Sequence, residues 1–334
     1  MSTASRSVAR SLDELLAGAT DRRPMKNADS KSGALLERVR IDGEPCVVKH
    51  FAEPDWLADA SQDLACRAVS LFEYGVYDLV ADVVDSTVVG AARLGPDGTG
   101  WPAALLMRDA GDEFIPEDQP VTADAHAAFI EAMAALHARF WEHPPPAVYM
   151  DAAVNYHLLS PRTAVEERDR RGDRSDVLRA VLAGWAQIEQ TAPAVWSLVR
   201  DVLHDPRPLS AALAQGPATF LHGDWKMGNM GRRGDGHVVI VDWDRPTVGA
   251  PTVDLAWYLS VNCDRIPETK EATVARYRAE LERHGVRTDS WWGRQLDLAL
   301  LGAFVVLGWS KTDDPAELGW WLDRTGAVAA ELAR

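Results

Sequence analysis

The spacing of apolar residues changes once along this chain, near Thr122, and the change divides it into two parts. Before Thr122, alternating apolar runs separated by turn residues predict two hairpins, LLERVRID with CVVKHF and VADVVDSTVVGAARL with WPAALLMR. One helical pattern, residues 56–80, lies between the hairpins. After Thr122, helical spacing dominates over 122–143, much of 155–215, 267–284 and 292–330. The sequence therefore predicts an α+β fold.

The same change predicts two lobes that meet near residues 108–111. We expect residues 1–108 to form a small antiparallel-sheet N-terminal lobe, and residues 109–334 to form a mainly helical C-terminal lobe. Strand-like runs return in the second part only briefly, as ATFLHGD and GHVVIVDWD.

Charge and composition exclude several classes of function. The formal net charge of −15 argues against binding to nucleic acid, whose phosphates are held by Lys and Arg, and is compatible with a cationic substrate. The three cysteines are far apart, which indicates neither disulfides nor a cysteine zinc site. The N-terminus has no apolar signal region, and the apolar run 298–309 is too short for a membrane helix. A soluble, cytoplasmic protein is expected.

The segment LHGDWKMGNM carries the strongest chemical signal. It places Asp224 and Asn229 five positions apart on a loop that follows an apolar strand, and Asp242 ends the next apolar strand 13 residues later. An Asp that accepts a hydroxyl proton, with Asn and Asp oxygens that hold Mg²⁺, is the arrangement that phosphoryl transfer needs. The alternative interpretation is a solvated β-turn followed by an unrelated strand-end aspartate.

These motifs, with GAPTVDLAWYL downstream, resemble the aminoglycoside phosphotransferase and choline kinase superfamily, which are protein-kinase-like small-molecule kinases. The resemblance implies a bilobal protein-kinase-like fold and the use of ATP and Mg²⁺. It implies that Asp224 is the catalytic Asp, that Asn229 and Asp242 are magnesium ligands, and that Asp254 braces the catalytic loop. Lys226 would contact the transferring γ-phosphate, although many lysines are simply solvated.

The resemblance also requires a lysine on a strand and a glutamate on a helix to bind the nucleotide. CVVKHF supplies Lys49, which we expect to bind the α- and β-phosphates. Glu73, on the predicted helix, is the best candidate to pair with Lys49, and Glu53 and Asp63 compete for that role.

The remaining nucleotide contacts are less specific in sequence. The protein-kinase pattern G-x-G-x-x-G is absent, so Ser32 and Gly33 are the candidates for the phosphate-covering loop. Met107, between the predicted lobes, falls where the family's hinge faces adenine, but it serves equally well as strand core. A Walker A motif is absent, which argues against a P-loop enzyme.

The short spacing after Asp242 favours a small acceptor. Eleven residues separate Asp242 from Asp254, with no A-P-E motif and no room to dock a peptide. The sequence thus predicts a kinase that transfers the γ-phosphate of ATP to a hydroxyl of a small molecule: an amino sugar, an aminoglycoside-like antibiotic or an amino alcohol. The alternatives are a non-catalytic nucleotide-binding regulator of the same fold, a protein kinase and a metal-dependent hydrolase, for which a second spaced histidine is missing.

Overall fold

The structure is a computed structural model that describes residues 6–25, 34–98, 100–172 and 175–332. Its strands in chain order are β1 Thr20–Pro24, β2 Leu35–Ile41, β3 Glu44–Phe51, β4 Val88–Arg93, β5 Ala103–Arg108, β6 Thr219–Leu221, β7 Met230–Arg232, β8 Val238–Ile240 and β9 Thr247–Gly249. Its helices in chain order are α1 Leu12–Leu15, α2 Trp56–Ala60, α3 Arg67–Glu73, α4 Val76–Val80, α5 Ala123–Arg139, α6 Ala152–Asn155, α7 Pro161–Arg171, α8 Asp176–Thr191, α9 Pro193–His204, α10 Arg207–Leu213, α11 Thr252–Val261, α12 Lys270–Arg283, α13 Trp292–Leu307 and α14 Pro315–Leu332.

The chain forms two compact units. The sheet unit comprises the described residues of Met1–Pro120, together with Pro145–Tyr149 and Met227–Pro246. The helical unit comprises Val121–Pro144, Met150–Lys226 and the described residues from Thr247 onward. A five-stranded antiparallel sheet in one unit and mainly helices in the other confirm the predicted α+β class.

The sheet of the sheet unit has the strand order β1-β2-β3-β5-β4, with every neighbour antiparallel. The predicted β2–β3 hairpin is present, and its turn residues Asp42 and Gly43 both have positive φ, as the twist of a two-residue hairpin requires. One face of the sheet packs its apolar residues, among them Val39 and Val48, against Leu16 beside α1. Because side chains alternate along β3, Lys49 lies on the opposite face, where it faces Leu36 and Leu105 on the neighbouring strands.

The helical pattern over 56–80 is divided in the structure into α2, α3 and α4. Asp55 accepts the N–H of Ala58 and begins α2, and the carboxylate of Asp63 accepts the N–H of Arg67 at the start of α3. Gly75, with a φ of 68°, separates α3 from α4 because a left-handed residue ends a helix. The spacing of apolar residues is therefore helical, but capping residues set three short helices in place of one.

The helical unit is built around α11 and α13. Leu298, Leu301 and Val305 on α13 are fully buried, as are Leu255 and Leu259 on α11. The predicted pattern over 292–330 forms two helices, because a 3₁₀ turn at Gly308–Lys311 ends the first and the carboxylate of Asp314 caps α14. Within the described ranges no helix is both long enough and apolar enough to cross a membrane.

Candidate active site

The loop after β6 is held in place by a buried carboxylate from α11. Asp254 accepts the backbone N–H of His222 on Oδ2 at 2.9 Å and that of Gly223 on Oδ1 at 3.0 Å. Gly223 has a φ of 80°, a conformation that costs glycine little, and it allows the chain to turn sharply onto the carboxylate. Because Asp254 is fully buried, these bonds fix the loop relative to α11, which is the bracing contact that the resemblance implies.

A second layer of buried polar groups supports the brace. His137 on α5 has Nε2 at 3.3 Å from Oδ2 of Asp254 and Nδ1 at 2.5 Å from the hydroxyl of Tyr277. Burial raises the pKa of Tyr277, so its phenol stays protonated and donates to Nδ1, which leaves Nε2–H to donate to Asp254. The backbone carbonyl of His137 also accepts the hydroxyl of Thr219 on β6. The loop is thus anchored at its strand and at its turn.

Asp224 is presented by this loop with a donor on each carboxylate oxygen. The ammonium of Lys226 lies 2.9 Å from Oδ2, and Nε1–H of Trp257 on α11 donates to Oδ1 at 3.0 Å. The carboxylate side chain is 14 % exposed. Two opposed donors hold it in one orientation, which is what a group that takes a proton from a bound hydroxyl needs.

In the sheet unit, the hairpin of β7 and β8 brings Asn229 next to the end of β8. Met230 pairs with Ile240, and the N–H of Val241 donates to the carbonyl of Asn229 at 3.0 Å, so Asn229 and Asp242 flank the same end of the hairpin. Asp242 has a φ of 63°, a left-handed conformation that a non-glycine residue seldom adopts. Such strain is concentrated at functional sites, where surrounding contacts impose it.

Lys49 reaches the same strand end. Its ammonium lies 2.8 Å from Oδ1 of Asp242 and 2.8 Å from Oδ2 of Asp244, and its side chain is 8 % exposed. Burial opposes the charged form, but the two carboxylates outweigh it and raise the pKa of Lys49, so the ammonium stays charged. Asp244 was not among the residues predicted from the sequence, although its place two residues after Asp242 was a usable signal.

The expected pairing of Glu73 with Lys49 is not what the structure contains. Both carboxylate oxygens of Glu73 accept from the buried guanidinium of Arg93 on β4, at 2.7 and 3.0 Å. α3 packs against β4, where the buried Arg93 requires a carboxylate, while Lys49 is satisfied by the two aspartates at the end of β8. The competitor Asp63 caps α3.

The other predicted nucleotide contacts have different outcomes. Met107 on β5 lies opposite Val47, and because Leu105 lies opposite Lys49, Met107 is on the same face of the sheet as Lys49. Ser32 and Gly33 lie outside the described residues.

The donor set at the end of β8 fits a magnesium ion. Asn229 supplies an amide oxygen and Asp242 a carboxylate, the hard oxygen ligands that Mg²⁺ prefers. In the part of the chain that the structure describes, no group of three or more His, Cys, Asp or Glu side chains forms a metal cage. Mg²⁺ does not require one where phosphates complete its shell, so these residues could hold it.

A sheet that carries a buried lysine, and a helical unit that presents a braced HGD loop, define the class of protein-kinase-like small-molecule phosphotransferases. The chain belongs to the phosphotransferase enzyme family, whose profile matches residues 32–287. This membership supports the assignment as a small-molecule phosphotransferase. A search of curated proteins gave no match.

Similar solved structures belong to kinases of small molecules. An ethanolamine kinase from Plasmodium vivax matches at a TM-score of 0.50 and 10 % identity, over 94 % of this chain and 82 % of that one. Choline kinase LicA from Streptococcus pneumoniae matches at 0.49 and 11 %, over 95 % of each chain. The aminoglycoside phosphotransferase APH(3'')-Id from Streptomyces rimosus matches at 0.48 and 18 %, over 83 % and 92 %. At 10 % identity the likeness to the ethanolamine kinase concerns the fold alone.

Proposed function

We propose that this protein transfers the γ-phosphate of ATP to a hydroxyl group of a small molecule in a Mg²⁺-dependent reaction. The observation that carries the proposal is the braced loop that presents Asp224 with both carboxylate oxygens oriented by donors. A solvated turn would need neither a fully buried carboxylate behind it nor an indole N–H directed at its aspartate. The acceptor class is an amino sugar, an aminoglycoside-like antibiotic or an amino alcohol, in keeping with the net charge of −15.

Asp224 is the proton acceptor in this proposal. As the acceptor hydroxyl oxygen forms a bond to the γ-phosphorus, the bond from that phosphorus to the β–γ bridging oxygen breaks and ADP leaves. The hydroxyl proton passes to Asp224, which later releases it to solvent. Lys226, two residues farther along the same loop, supplies positive charge for the oxygens of the transferring phosphate.

The sheet unit supplies the nucleotide-binding groups. Lys49 on β3 is charged, and its ammonium lies beside Asp242 and Asp244, which follow β8. There it would neutralise charge on the α- and β-phosphates. Asn229 and Asp242 would hold Mg²⁺, which when bound neutralises charge on the phosphate oxygens. Met107, on the Lys49 face of the sheet, and Ser32 with Gly33, which precede β2 in the sequence, are the proposed contacts to the rest of the nucleotide.

An ADP-release assay tests the proposal. The purified protein is given ATP, with and without Mg²⁺, and a panel of aminoglycosides, amino sugars, amino alcohols and nucleosides. We expect release with at least one acceptor, dependent on Mg²⁺. Asp224→Asn should reduce kcat by about 100-fold or more while leaving nucleotide affinity unchanged. The matched control is Asp323→Asn, an exposed acid on α14, which should retain full activity.

Two results would change the assignment. Nucleotide binding without ADP release for any acceptor would favour the non-catalytic regulator. Incorporation of phosphate into a mixed peptide library would favour a protein kinase, which the short spacing between Asp242 and Asp254 argues against.

A further inference from the structure

Lys49 on β3 contacts two carboxylates in the sheet unit, and their roles differ. Its ammonium lies 2.8 Å from Oδ1 of Asp242 and 2.8 Å from Oδ2 of Asp244. Asp242 is also a proposed ligand of Mg²⁺, and its side chain is the more exposed of the two, at 43 % against 31 %. Asp244 has no such second role, so its contribution to the site lies in its contact with the lysine.

The acids that follow β3 in the chain have other partners or none of the required burial. Glu73 binds a buried guanidinium on β4 through both of its oxygens, at 2.7 and 3.0 Å. Asp55 and Asp63 accept backbone N–H groups at the starts of α2 and α3. Glu53 is exposed. Among the described residues, both ion pairs of Lys49 therefore come from the segment after β8.

The main chain on both sides of Asp244 is held by buried neighbours. Trp243 is 2 % exposed and donates its Nε1–H to the carbonyl of Ile240 at 2.9 Å. The same indole packs edge-on against Tyr77 of α4. Arg245, on the other side of Asp244, is buried as well. Because packed neighbours fix the backbone at this point, the carboxylate of Asp244 can act as a rigid support for the ammonium.

The number of donors on the ammonium sets what such a support leaves available. An ammonium has three N–H donors, and directing two of them at carboxylates leaves one. If the carboxylate of Asp242 serves Mg²⁺, Lys49 keeps its contact with Asp244 and has two donors for the α- and β-phosphates. Without Asp244, the lysine would then have lost both carboxylates, although its side chain is only 8 % exposed and a buried cation needs a partner.

We propose that Asp244 is a positioning residue for Lys49, which holds the ammonium from one side so that its other N–H groups are directed at the phosphates of the nucleotide. Asp244 fills the role for which Glu73 was predicted from the sequence. The inference rests on the proposed function, because it concerns the nucleotide that the reaction consumes.

Calorimetric binding of ADP to four proteins tests the inference. The proteins are the wild type, Asp244→Asn, Lys49→Met and the double variant, each measured with Mg²⁺ and with EDTA. We expect Lys49→Met to weaken ADP binding about tenfold when Asp244 is present, since a hydrogen bond between charged groups is lost. In the Asp244→Asn background the same change should weaken binding by less than about threefold, because the ammonium is no longer oriented. This pattern is expected in both conditions, and any direct effect of the Asp244 charge on ADP cancels in the comparison.

Two variants serve as matched controls. Glu73→Gln removes the carboxylate that was predicted to pair with Lys49, and Asp118→Asn removes an exposed acid of the sheet unit. In either background, Lys49→Met should weaken ADP binding as much as it does in the wild type. Asp244→Glu, which keeps a carboxylate, should preserve the dependence on Lys49 that Asp244→Asn loses, whereas a merely structural role of Asp244 would leave that dependence unchanged in both.

The outcomes separate the inference from the proposed function. An equal effect of Lys49→Met on ADP binding in the wild-type and Asp244→Asn backgrounds would overturn the positioning role. A loss of affinity in Asp244→Asn that occurs only with Mg²⁺ would overturn it too, and would make Asp244 a metal ligand. Absence of ADP release by the wild type with every acceptor, alongside the expected binding pattern, would instead contradict the proposed function and support the positioning role.

Discussion

Replacing Asp254 by alanine should both destabilise the helical unit and stop phosphoryl transfer, because one buried carboxylate holds the catalytic loop in place. Asp254 is fully buried and accepts two backbone N–H groups, from His222 at 2.9 Å and Gly223 at 3.0 Å. It also lies 3.3 Å from Nε2 of His137.

The magnitude follows from those bonds. A hydrogen bond to a charged group contributes about 1.5 to 3 kcal/mol, so losing two lowers the free energy of unfolding by about 3 to 6 kcal/mol. That is a large fraction of the roughly 5 to 15 kcal/mol that stabilises a typical domain. Asp254→Asn keeps the volume and one acceptor oxygen, and it should lose about half as much as Asp254→Ala.

Urea unfolding followed by tryptophan fluorescence measures the loss, and ADP release measures catalysis. The control is Asp323→Ala on α14, whose exposed side chain should change stability by less than about 0.5 kcal/mol. We expect the order wild type, Asp254→Asn, Asp254→Ala in both assays. If Asp254→Ala unfolds within about 1 kcal/mol of the wild type, the two N–H groups find other partners and the bracing role is refuted.

Three further changes test separate parts of the structure. Lys49→Met should lower the rate of ADP release by about 100-fold or more. It should change stability in urea little, because water can reach the two partly exposed carboxylates that Lys49 contacts. Unchanged turnover would contradict a role of Lys49 in binding the nucleotide phosphates. Trp257→Phe removes the 3.0 Å hydrogen bond to Asp224, which is worth about 1.5 to 3 kcal/mol. The kcat should therefore fall by about 10- to 100-fold at constant nucleotide affinity. A kcat equal to that of the wild type would show that the indole does not orient the carboxylate. Burial lowers the pKa of His126, a buried residue on α5, below its ordinary 6.5. The stability that neutral His126 contributes is therefore present above pH 6.5 and is lost as the pH falls through the pKa of the folded protein. Between pH 7.5 and 5, the free energy of unfolding measured in urea should decline less steeply for His126→Gln than for the wild type. Parallel declines would contradict the lowered pKa of His126.

The local sequence was enough to predict the elements whose signals lie within a few residues. The β2–β3 hairpin follows from alternation and a glycine turn, and α13 from a long apolar pattern. β1, β7 and β9 were not predicted. β7 and β9 have three residues each, too few for a pattern of their own, and they exist because a neighbouring strand pairs with them.

Ion-pair partners were the least predictable feature. Lys49 and Asp242 are 193 residues apart in the chain, whereas Glu73 follows Lys49 by 24 residues on the predicted helix. Which carboxylate reaches a buried lysine depends on how strands and helices pack. Arg93 competes for Glu73, and the positive φ of Asp242 is part of the backbone geometry at the end of β8.

The sequence by itself determined the kinds of chemistry available: an HGD loop with a following Asn, a strand-end Asp and a lysine on an apolar strand, in an order that indicates a phosphotransferase. Only the tertiary structure decided which groups meet. It set Trp257 and Lys226 on the two oxygens of Asp224 and joined Lys49 to two aspartates. The reason is physical. The residue types are read directly from the sequence, whereas hydrogen bonds and charge pairs act over a few ångströms and depend on how distant segments pack together.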